Sequence, residues 1–231
     1  MKTIGLIGGM SWESSAAYYR MINEAVKEQL GGLHSAKCIL YSVDFDEIER
    51  YQRAGDWNSA GKRLAEAALS LEKARADFVV ICTNTMHKVI SMVEENIDLP
   101  VLHIADATAV RIHQADIRTV GLLGTRYTME QDFYKDRLTS QDIHVITPAE
   151  EDRKQVNRII FEELCLGKIE ANSHDYFKKV ISQLIADGAE GVILGCTEIG
   201  LLISPEDVAV PIFDTAEIHA LEAVKIALED S

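Results

Sequence analysis

Short apolar runs alternate with longer amphipathic segments along most of the chain. Runs of three to eight residues have the length of strands, and near-continuous hydrophobicity is typical of parallel strands covered on both faces. We predict strands at residues 3–7, 36–43, 78–81, 99–102, 120–125, 143–146, 192–194 and 210–214. The intervening pattern predicts helices at 12–30, 57–73, 86–95, 105–114, 127–138, 149–165, 173–187 and 216–228, with a short acidic helix or loop at 44–52. This alternation indicates an α/β fold with parallel sheets.

The pattern of the first half returns in the second. Three pairs of segments resemble each other in the same order, at offsets of 116, 113 and 111 residues: 4–9 with 120–125, 76–85 with 189–198, and 99–103 with 210–214. We therefore predict two halves that meet near residue 116, namely 1–115 plus 214–231 and 116–213. The predicted architecture is α/β with two pseudo-symmetric halves, each a parallel sheet flanked by helices, and a site in the cleft between them.

Composition and charge narrow the class of protein. The 231 residues are 47% hydrophobic and 26% charged, as in ordinary globular proteins. The net charge of −14 disfavours nucleic acid as a partner, because nucleic-acid-binding proteins present basic patches. No apolar run approaches membrane-spanning length, and the glycine-broken run at the N-terminus is too short for a signal peptide. We expect a cytoplasmic protein that acts on a small molecule.

The cysteines and histidines do not show the spacing of a metal site. Cys38, Cys82, Cys165 and Cys196 form no C-x-x-C motif, and the seven histidines form no H-x₃-H motif. Disulfide bonds and structural zinc are therefore poor interpretations. Cys38 and Cys165 lie within a predicted strand and a predicted helix, where cysteine usually acts as a small buried hydrophobe.

Two turns that follow predicted strands carry the candidate chemistry. They are residues 82–85 (Cys-Thr-Asn-Thr) and residues 195–198 (Gly-Cys-Thr-Glu). In the gap-free repeat, Cys196 lies opposite Thr83 and not opposite Cys82. Ligands of open α/β sheets bind beyond the carboxyl ends of the strands. Acid/base groups on both sides of one carbon can remove a proton from one face and return it on the other, which inverts a stereocentre.

Residues 8–11 (Gly-Gly-Met-Ser) turn the chain between the first strand and the first helix. The dinucleotide fingerprint G-x-G-x-x-G is absent, so a tight turn is favoured over a phosphate cradle. Ser11 is the predicted N-cap of the helix. A close approach of this backbone to a small ligand stays open.

The motifs at 8–11, 82–85 and 195–198 together resemble those of the cofactor-independent aspartate/glutamate racemase family, and the resemblance spans the whole chain. Within that family the chain is most similar to the subgroup with broad or uncertain amino-acid specificity. Members use two cysteines, one in each half. The resemblance implies an amino-acid racemase that needs neither pyridoxal phosphate nor a metal, and it implies a homodimer.

The chain departs from the family pattern at the first cysteine. Thr83 stands directly before Asn84, where the family carries that cysteine, and Cys82 is one position earlier. A hydroxyl is a much weaker acid than a thiol, whose ordinary pKa is about 8.5. We expect Cys196 to abstract the α-proton as a thiolate, with Thr83, or alternatively Cys82, on the opposite face. Because the second cysteine of the family deprotonates the L-enantiomer, the resemblance implies a preference for the L-to-D direction.

Substrate-binding candidates surround the two turns. We expect Asn84, Thr85 and Thr197 to hydrogen-bond the α-carboxylate with help from helix N-termini, and Thr125 to join them. The resemblance alone suggests that Met10 and Gln52 line the side-chain pocket.

Three further candidates have competing interpretations. Glu198 is open between an acid/base role and the ordinary preference for acidic residues in a first helical turn. Arg50 or Lys168 would meet an acidic substrate side chain, and if neither reaches the site a neutral or polar side chain is expected. His87 is expected to pack or to support the site electrostatically.

Two alternatives to racemisation stay open. One working cysteine suffices for a one-thiol decarboxylase or isomerase of the same superfamily, such as an arylmalonate-decarboxylase-like enzyme. The other alternative is a small-ligand binding protein that lost catalysis when the first thiol became Thr83.

Overall fold

The computed structural model describes residues 1–229. The chain divides into two compact units, one formed by Met1–Ile104 with the segment from His219 onward, and one formed by Ala105–Ile218. Each unit contains a four-stranded parallel sheet with helices packed against it. The predicted α/β class, with two similar parallel sheets, is confirmed.

The first unit contains these elements: β1 Ile4–Gly8, α1 Trp12–Leu30, β2 Cys38–Ser42, α2 Phe45–Ala54, α3 Trp57–Lys73, β3 Phe78–Ile81, a 3₁₀ helix at Thr85–Val89, α4 Ile90–Glu94 and β4 Val101–Leu102. Its strands are ordered β2-β1-β3-β4, and all neighbours are parallel. Every residue of β1 and β3 is buried, as the near-continuous apolar runs predict.

The second unit contains these elements: α5 Ile104–Gln114, β5 Thr119–Gly124, α6 Arg126–Glu130, α7 Asp132–Thr139, β6 His144–Ile146, α8 Glu150–Glu162, a 3₁₀ helix at Leu164–Leu166, α9 Ala171–Ala186, β7 Gly191–Gly195, 3₁₀ helices at Ile199–Leu201 and Pro205–Asp207, β8 Ile212–Asp214, and α10 Thr215–Leu228. Helix α5 begins at the last residue of the first unit, and α10 continues into the first unit from His219. Its strands are ordered β6-β5-β7-β8, again all parallel. The two sheets therefore share one topology, as the repeat predicts.

The compact units differ from the predicted halves at their boundaries, because residues 105–115 and 214–218 group with the second unit. In α5, the Asp106 carboxylate accepts two hydrogen bonds from the Arg137 guanidinium, at 2.7 and 2.6 Å. Such a bidentate pair fixes orientation as well as distance. It ties α5 to α7 within the second unit.

The start of α10 is tied to the second unit in a similar way. The Thr215 hydroxyl donates to the Leu194 carbonyl oxygen at 2.8 Å, which joins the helix to β7. The last two residues of the predicted first half, 230 and 231, lie outside the described residues.

Side-chain caps explain where the long helices begin. The Ser11 hydroxyl accepts from the Ser14 N–H at 3.3 Å and caps α1, which confirms the predicted N-cap. The Asp56 carboxylate accepts from the Ser59 N–H at 3.0 Å and caps α3. These two helices have the predicted bounds because the caps precede clear apolar periodicity.

The predicted helix over 86–95 is wrong as a single helix. The chain forms the 3₁₀ helix Thr85–Val89, in which the His87 N–H donates to the Asn84 carbonyl oxygen at 3.1 Å, and then α4. The His87 ring bonds to the Thr83 carbonyl oxygen, which takes that acceptor away from a regular α-helical ladder.

The predicted helix over 127–138 is also two helices, α6 and α7. They are separated at Gln131, whose backbone is extended with φ −89° and ψ 154°.

Each unit has its own apolar core. Buried side chains that include Leu64, Val79 and Ile90 pack together in the first unit, and a set that includes Ile159 and Val192 does so in the second. Among residues 1–229, none of the helices has an apolar stretch as long as a membrane span requires.

Candidate active site

The two candidate turns occupy equivalent places in the two sheets. Ile81 of β3 pairs with the penultimate residue of β1, and Thr83 follows Ile81 by two residues. Leu194 of β7 pairs with the penultimate residue of β5, and Cys196 follows Leu194 by two residues. Strand register thus agrees with the gap-free repeat that matches Thr83 to Cys196.

Cys82 lies inside the first unit at the end of β3, with 1% of its surface exposed. Its Sγ is 3.9 Å from the Val80 carbonyl oxygen, to which the thiol donates weakly. Burial raises the pKa of the Cys82 thiol far above its ordinary value. A neutral, enclosed thiol suits a packing role.

Thr83 is half-buried. Each of the two peptide groups that flank its Cα makes a hydrogen bond. Its N–H donates to the Ile81 carbonyl oxygen at 2.8 Å. Its carbonyl oxygen lies 2.8 Å from Nδ1 of His87. The next two residues, Asn84 and Thr85, are 2% and 5% exposed, so this turn carries several enclosed polar side chains.

The turn after β7 is organised around one buried carboxylate. Glu198 is 3% exposed, and its Oε2 accepts a hydrogen bond from the Cys196 thiol at 3.0 Å. The same oxygen accepts from the Thr197 hydroxyl at 2.8 Å. Three predicted site residues of the second unit therefore share one contact, and Glu198 is more than a residue of the first helical turn.

Burial and the contact with Glu198 both favour the protonated form of Cys196. Burial, and then the negative charge of Glu198, raise the pKa of the Cys196 thiol well above its ordinary value. The thiol consequently keeps its proton near neutral pH and donates it to Glu198. The thiolate expected from the sequence is not the resting form of this turn.

A pair of hydroxyl groups lies at the start of the helix that follows the first strand of each unit, α1 after β1 and α6 after β5. Ser11 accepts from the Ser14 N–H, and the two hydroxyl oxygens are 3.2 Å apart. In the second unit Thr125 accepts from the Thr128 N–H at 3.4 Å, with the hydroxyl oxygens 3.3 Å apart. By this geometry Thr125 corresponds to Ser11. Ser11 was predicted only as a cap, and the signal for this match is S-x-x-S at residues 11–14 and T-x-x-T at residues 125–128.

Gly9 confirms the tight turn predicted at residues 8–11. Its φ is +91°, and a Cβ at this position would lie 2.2 Å from the Val43 carbonyl oxygen. The Gly9 N–H donates to the Ser15 hydroxyl at 2.7 Å. This donor is committed within the protein, which disfavours a phosphate cradle here.

Met10 and Gln52 are both buried in the first unit, each 4% exposed. The Gln52 side-chain amide donates to Sδ of Met86 at 3.2 Å. Because Met86 directly follows Thr85, Gln52 lies beside the first candidate turn.

The two candidate cations are exposed. Arg50 pairs with Asp46 at 3.3 Å, and 63% of the arginine side chain is exposed. Lys168 is exposed beyond the 3₁₀ helix Leu164–Leu166. Within residues 1–229, no three histidine, cysteine, aspartate or glutamate side chains are grouped so that they could hold a metal ion.

Comparison with known proteins finds one family. The profile of the Asp/Glu/hydantoin racemase family matches residues 7–223. A protein from Yersinia pestis, whose crystal structure is provisionally named an Asp/Glu racemase, is 60% identical, with a TM-score of 0.92 over 99% of this chain and 100% of that one.

Two further relatives cover nearly the whole chain. An aspartate racemase homologue from Pyrococcus horikoshii OT3 is 37% identical, with a TM-score of 0.86 over 98% of this chain and 99% of that one. The broad specificity amino-acid racemase RacX from Bacillus subtilis is 22% identical over 97% of this chain and 98% of its own.

Proposed function

Because this chain belongs to the Asp/Glu/hydantoin racemase family, we propose that it racemises an amino acid by proton transfer on two faces of the α-carbon, without a cofactor. Family membership makes the protein an amino-acid racemase, and therefore an isomerase. In the proposal Cys196 removes the α-proton as a thiolate, and Thr83 serves the opposite face. The substrate is aspartate, glutamate or one of a broader range of amino acids, in keeping with the names of two relatives.

The observation that carries this proposal is the 3.0 Å hydrogen bond from the Cys196 thiol to Glu198. Since the raised pKa keeps the proton on sulfur, a base has to accept that proton before sulfur can attack. Glu198 is already in contact with it. The ammonium group of an amino acid would bring a positive charge to the site, and an opposite charge favours the thiolate.

The proton balance of the L-to-D direction closes with these groups. Glu198 takes the S–H proton, the thiolate takes the α-proton, and the electron pair of the broken C–H bond moves into the substrate carboxylate. The Thr83 hydroxyl then donates a proton to the other face of the carbon and regains one from water, and Glu198 gives its proton to the hydroxide that remains, which restores both turns. From the D-enantiomer the Thr83 side has to supply the base, which a threonine hydroxyl does poorly, so exchange of the α-proton of that enantiomer should be slow.

Hydroxyl and amide groups beside the turns would hold the α-carboxylate. Asn84, Thr85, Thr125 and Thr197 are the proposed donors. Thr197 has one O–H donor, and in the resting turn it points to Glu198. If substrate redirects that donor, Glu198 loses a stabilising hydrogen bond and becomes a better acceptor for the proton of Cys196.

The side-chain pocket sets the substrate range in the proposal. Met10 and Gln52 would line it. A glutamine amide can serve a polar, neutral or acidic side chain. Arg50 already has a carboxylate partner in Asp46 and is mostly exposed, which supports a range wider than acidic amino acids.

Proton exchange in D₂O tests the proposal directly. A panel of L- and D-amino acids is incubated with the protein, and α-deuterium is measured by NMR with chiral analysis of the products. We expect exchange and inversion from at least one L-amino acid, slower exchange from its D-enantiomer, and loss of both in Cys196→Ala. Equal exchange rates from the two enantiomers would contradict the one-sided assignment.

Variants at the first turn distinguish its two candidates. Thr83→Ala should stop inversion and leave exchange on the Cys196 face, whereas Cys82→Ala should change neither. Thr83→Cys should strengthen the D-to-L direction, because a thiol accepts the α-proton far more readily than a hydroxyl. No change in Thr83→Cys would argue that Thr83 does not meet the substrate.

The single thiol at the matched positions also favours a second candidate, a one-thiol decarboxylase or isomerase. Loss of CO₂ from a disubstituted malonate, without α-proton exchange of any amino acid, would select it. Ligand binding with neither reaction would indicate a binding protein.

A cytoplasmic location and a homodimer remain predictions, and light scattering that gives the mass of one chain would contradict the dimer.

A further inference from the structure

Four buried aromatic or imidazole side chains lie together in the first unit, outside the groups assigned to proton transfer. They are Tyr18, His87, His103 and His219, each 7% exposed or less. The His87 and His103 rings lie 4.7 Å apart between centroids, and the His87 and His219 rings 5.8 Å apart. We call this set the histidine cluster. It lies directly behind the turn that carries Thr83, since His87 follows Thr83 by four residues.

The contacts of His87 fix its tautomer. The Ile104 N–H donates to Nε2 at 3.2 Å, so Nε2 carries a lone pair. The other nitrogen, Nδ1, therefore carries the hydrogen and donates it to the Thr83 carbonyl oxygen at 2.8 Å. A neutral ring thus links the Thr83 turn to the junction between β4 and α5.

His219 is held in a complementary way. Its Nε2 lies 2.9 Å from the Leu102 carbonyl oxygen and must donate to it. Its Nδ1 then accepts from the Tyr18 hydroxyl at 3.0 Å. Burial, and then the neighbouring His87, lower the pKa of His219 to about 3. This ring therefore stays neutral at physiological pH and gives His87 an uncharged neighbour.

We propose that His87 is a positioning residue that orients Thr83 for return of the proton, through the hydrogen bond from Nδ1 to the Thr83 carbonyl oxygen. This inference rests on the proposed function. The Thr83 N–H is held by Ile81 at 2.8 Å. With the carbonyl held by His87 as well, both peptide planes around the Cα are fixed, and with them the direction of the Cα–Cβ bond that carries the hydroxyl.

The second unit handles the equivalent position differently, which argues against a generic packing role. The residue that matches His87 in the repeat is Gly200, where a Cβ would lie 2.2 Å from Oδ2 of Asp214. Cys196 is instead held by the contact of its own thiol with Glu198. The imidazole is found behind the turn whose reacting group is a hydroxyl, a weaker acid that depends more on alignment.

Two variants separate positioning from packing. In His87→Asn, the amide nitrogen is attached to Cγ as Nδ1 is, so the donor to Thr83 is kept and the acceptor for Ile104 is lost. In His87→Gln, the amide reaches the level of Nε2, so the acceptor for Ile104 can be kept and the donor to Thr83 is lost. Each variant removes one ring and one hydrogen bond, which makes the structural costs comparable.

The readout is the fate of an L-amino acid in D₂O. Deuterium returned on the Cys196 face gives labelled L-product, and inversion gives labelled D-product. We expect His87→Gln to lower the ratio of inversion to retained exchange about tenfold or more, since small misplacement of a reacting group is costly. His87→Asn should keep that ratio within about twofold of wild type, and so should Tyr18→Phe, which removes the hydrogen bond to His219 and leaves His87 and its two bonds in place.

The outcomes keep this inference apart from the proposed function. Equal ratios in His87→Gln and wild type, or equal falls in both His87 variants, would overturn the positioning role while the racemase proposal stands. If wild type exchanges no amino acid, the proposed function fails. In that case, or if a variant does not fold, ¹⁵N NMR of wild-type His87 tests the positioning role. A hydrogen on Nε2 instead of Nδ1 would overturn it, because Nδ1 could then not donate to the Thr83 carbonyl oxygen.

Discussion

The turn after β3 and the turn after β7 begin from the same strand register and reach different chemistry. The first presents the Thr83 hydroxyl, and a neutral imidazole holds its backbone at 2.8 Å. The second presents the Cys196 thiol, and a carboxylate holds the reacting atom itself at 3.0 Å. One turn therefore has its backbone fixed, and the other has its thiol proton in contact with a base. In the proposed mechanism the two turns would serve opposite faces of one carbon with different groups.

The space behind each turn explains why the two supports differ. In the first unit the His87 ring fills it. In the second unit Gly200 leaves room for Asp214, whose Oδ1 accepts from the N–H groups of Ala216 and Glu217 at 2.9 and 3.2 Å and so caps α10. Burial raises the pKa of the Asp214 carboxyl group. The Asp214 carboxylate therefore lies where a side chain at residue 200 would extend, and Cys196 is held by Glu198 instead of by an imidazole.

The largest expected effect comes from removing the sulfur of the second turn. Cys196→Ser should lower the rate of α-proton exchange from the L-enantiomer about 10³-fold, because a hydroxyl replaces a thiol as the attacking base. The measurement is deuterium incorporation under saturating substrate. Cys38→Ser is the matched control, since Cys38 is a half-buried cysteine in β2 of the other unit and should keep the wild-type rate. If Cys196→Ser retains more than about a tenth of the exchange rate, Cys196 is not the base that removes the α-proton.

The second prediction separates the charge of Glu198 from its role as proton acceptor. Glu198→Gln removes the negative charge and the carboxylate acceptor that raise the pKa of Cys196. That pKa should therefore fall. Alkylation of Cys196 at fixed pH, followed by mass spectrometry, should become faster. Racemisation should nevertheless become slower, by about 10²-fold, because no base receives the thiol proton.

Glu198→Asp provides the comparison for that experiment. It keeps the charge and shortens the reach, so it should retain slow alkylation and part of the racemisation rate. If racemisation and alkylation instead rise together in Glu198→Gln, then Glu198 only suppresses the thiolate and does not take its proton.

The strands and the two matched turns could be predicted from the sequence, but the side-chain contacts that hold those turns could not. The bounds of α3 and β3 follow from local signals, an N-cap at Asp56 and a continuous apolar run. The bond from His87 to Ile104 joins residues 17 positions apart, and no spacing rule predicts it. The contact between Cys196 and Glu198 depends on the 3₁₀ geometry that follows β7, which periodicity does not specify.

The third prediction concerns how the free energy of unfolding falls with pH because of His219, the buried imidazole next to His87. The pKa of His219 is about 3 when folded and about 6.5 when unfolded, so below pH 6.5 the unfolded chain binds a proton that the folded chain does not. Its contribution to stability is complete above pH 6.5 and is lost as pH falls toward 3. At pH 5 the loss should be about 2 kcal/mol.

Urea unfolding at pH 7 and pH 5 measures this loss. His219→Gln should lose about 2 kcal/mol less than wild type between the two pH values, whatever its stability at pH 7. His34→Gln, at an exposed histidine, should follow the wild-type slope. If His219→Gln follows it too, then another group carries the acid sensitivity of the first unit.

The smallest effect is expected from filling the space behind the second turn. An alanine Cβ at Gly200 would lie 2.2 Å from Oδ2 of Asp214, so the carboxylate must move and its cap on α10 is weakened. Gly200→Ala should lower the free energy of unfolding by about 1 kcal/mol, the usual worth of an N-cap. A double-mutant cycle with Asp214→Ala, followed by urea unfolding, locates the cause. In the Asp214→Ala background the same substitution should cost close to nothing, whereas an equal cost in both backgrounds would place the strain in the turn itself and not in the carboxylate behind it.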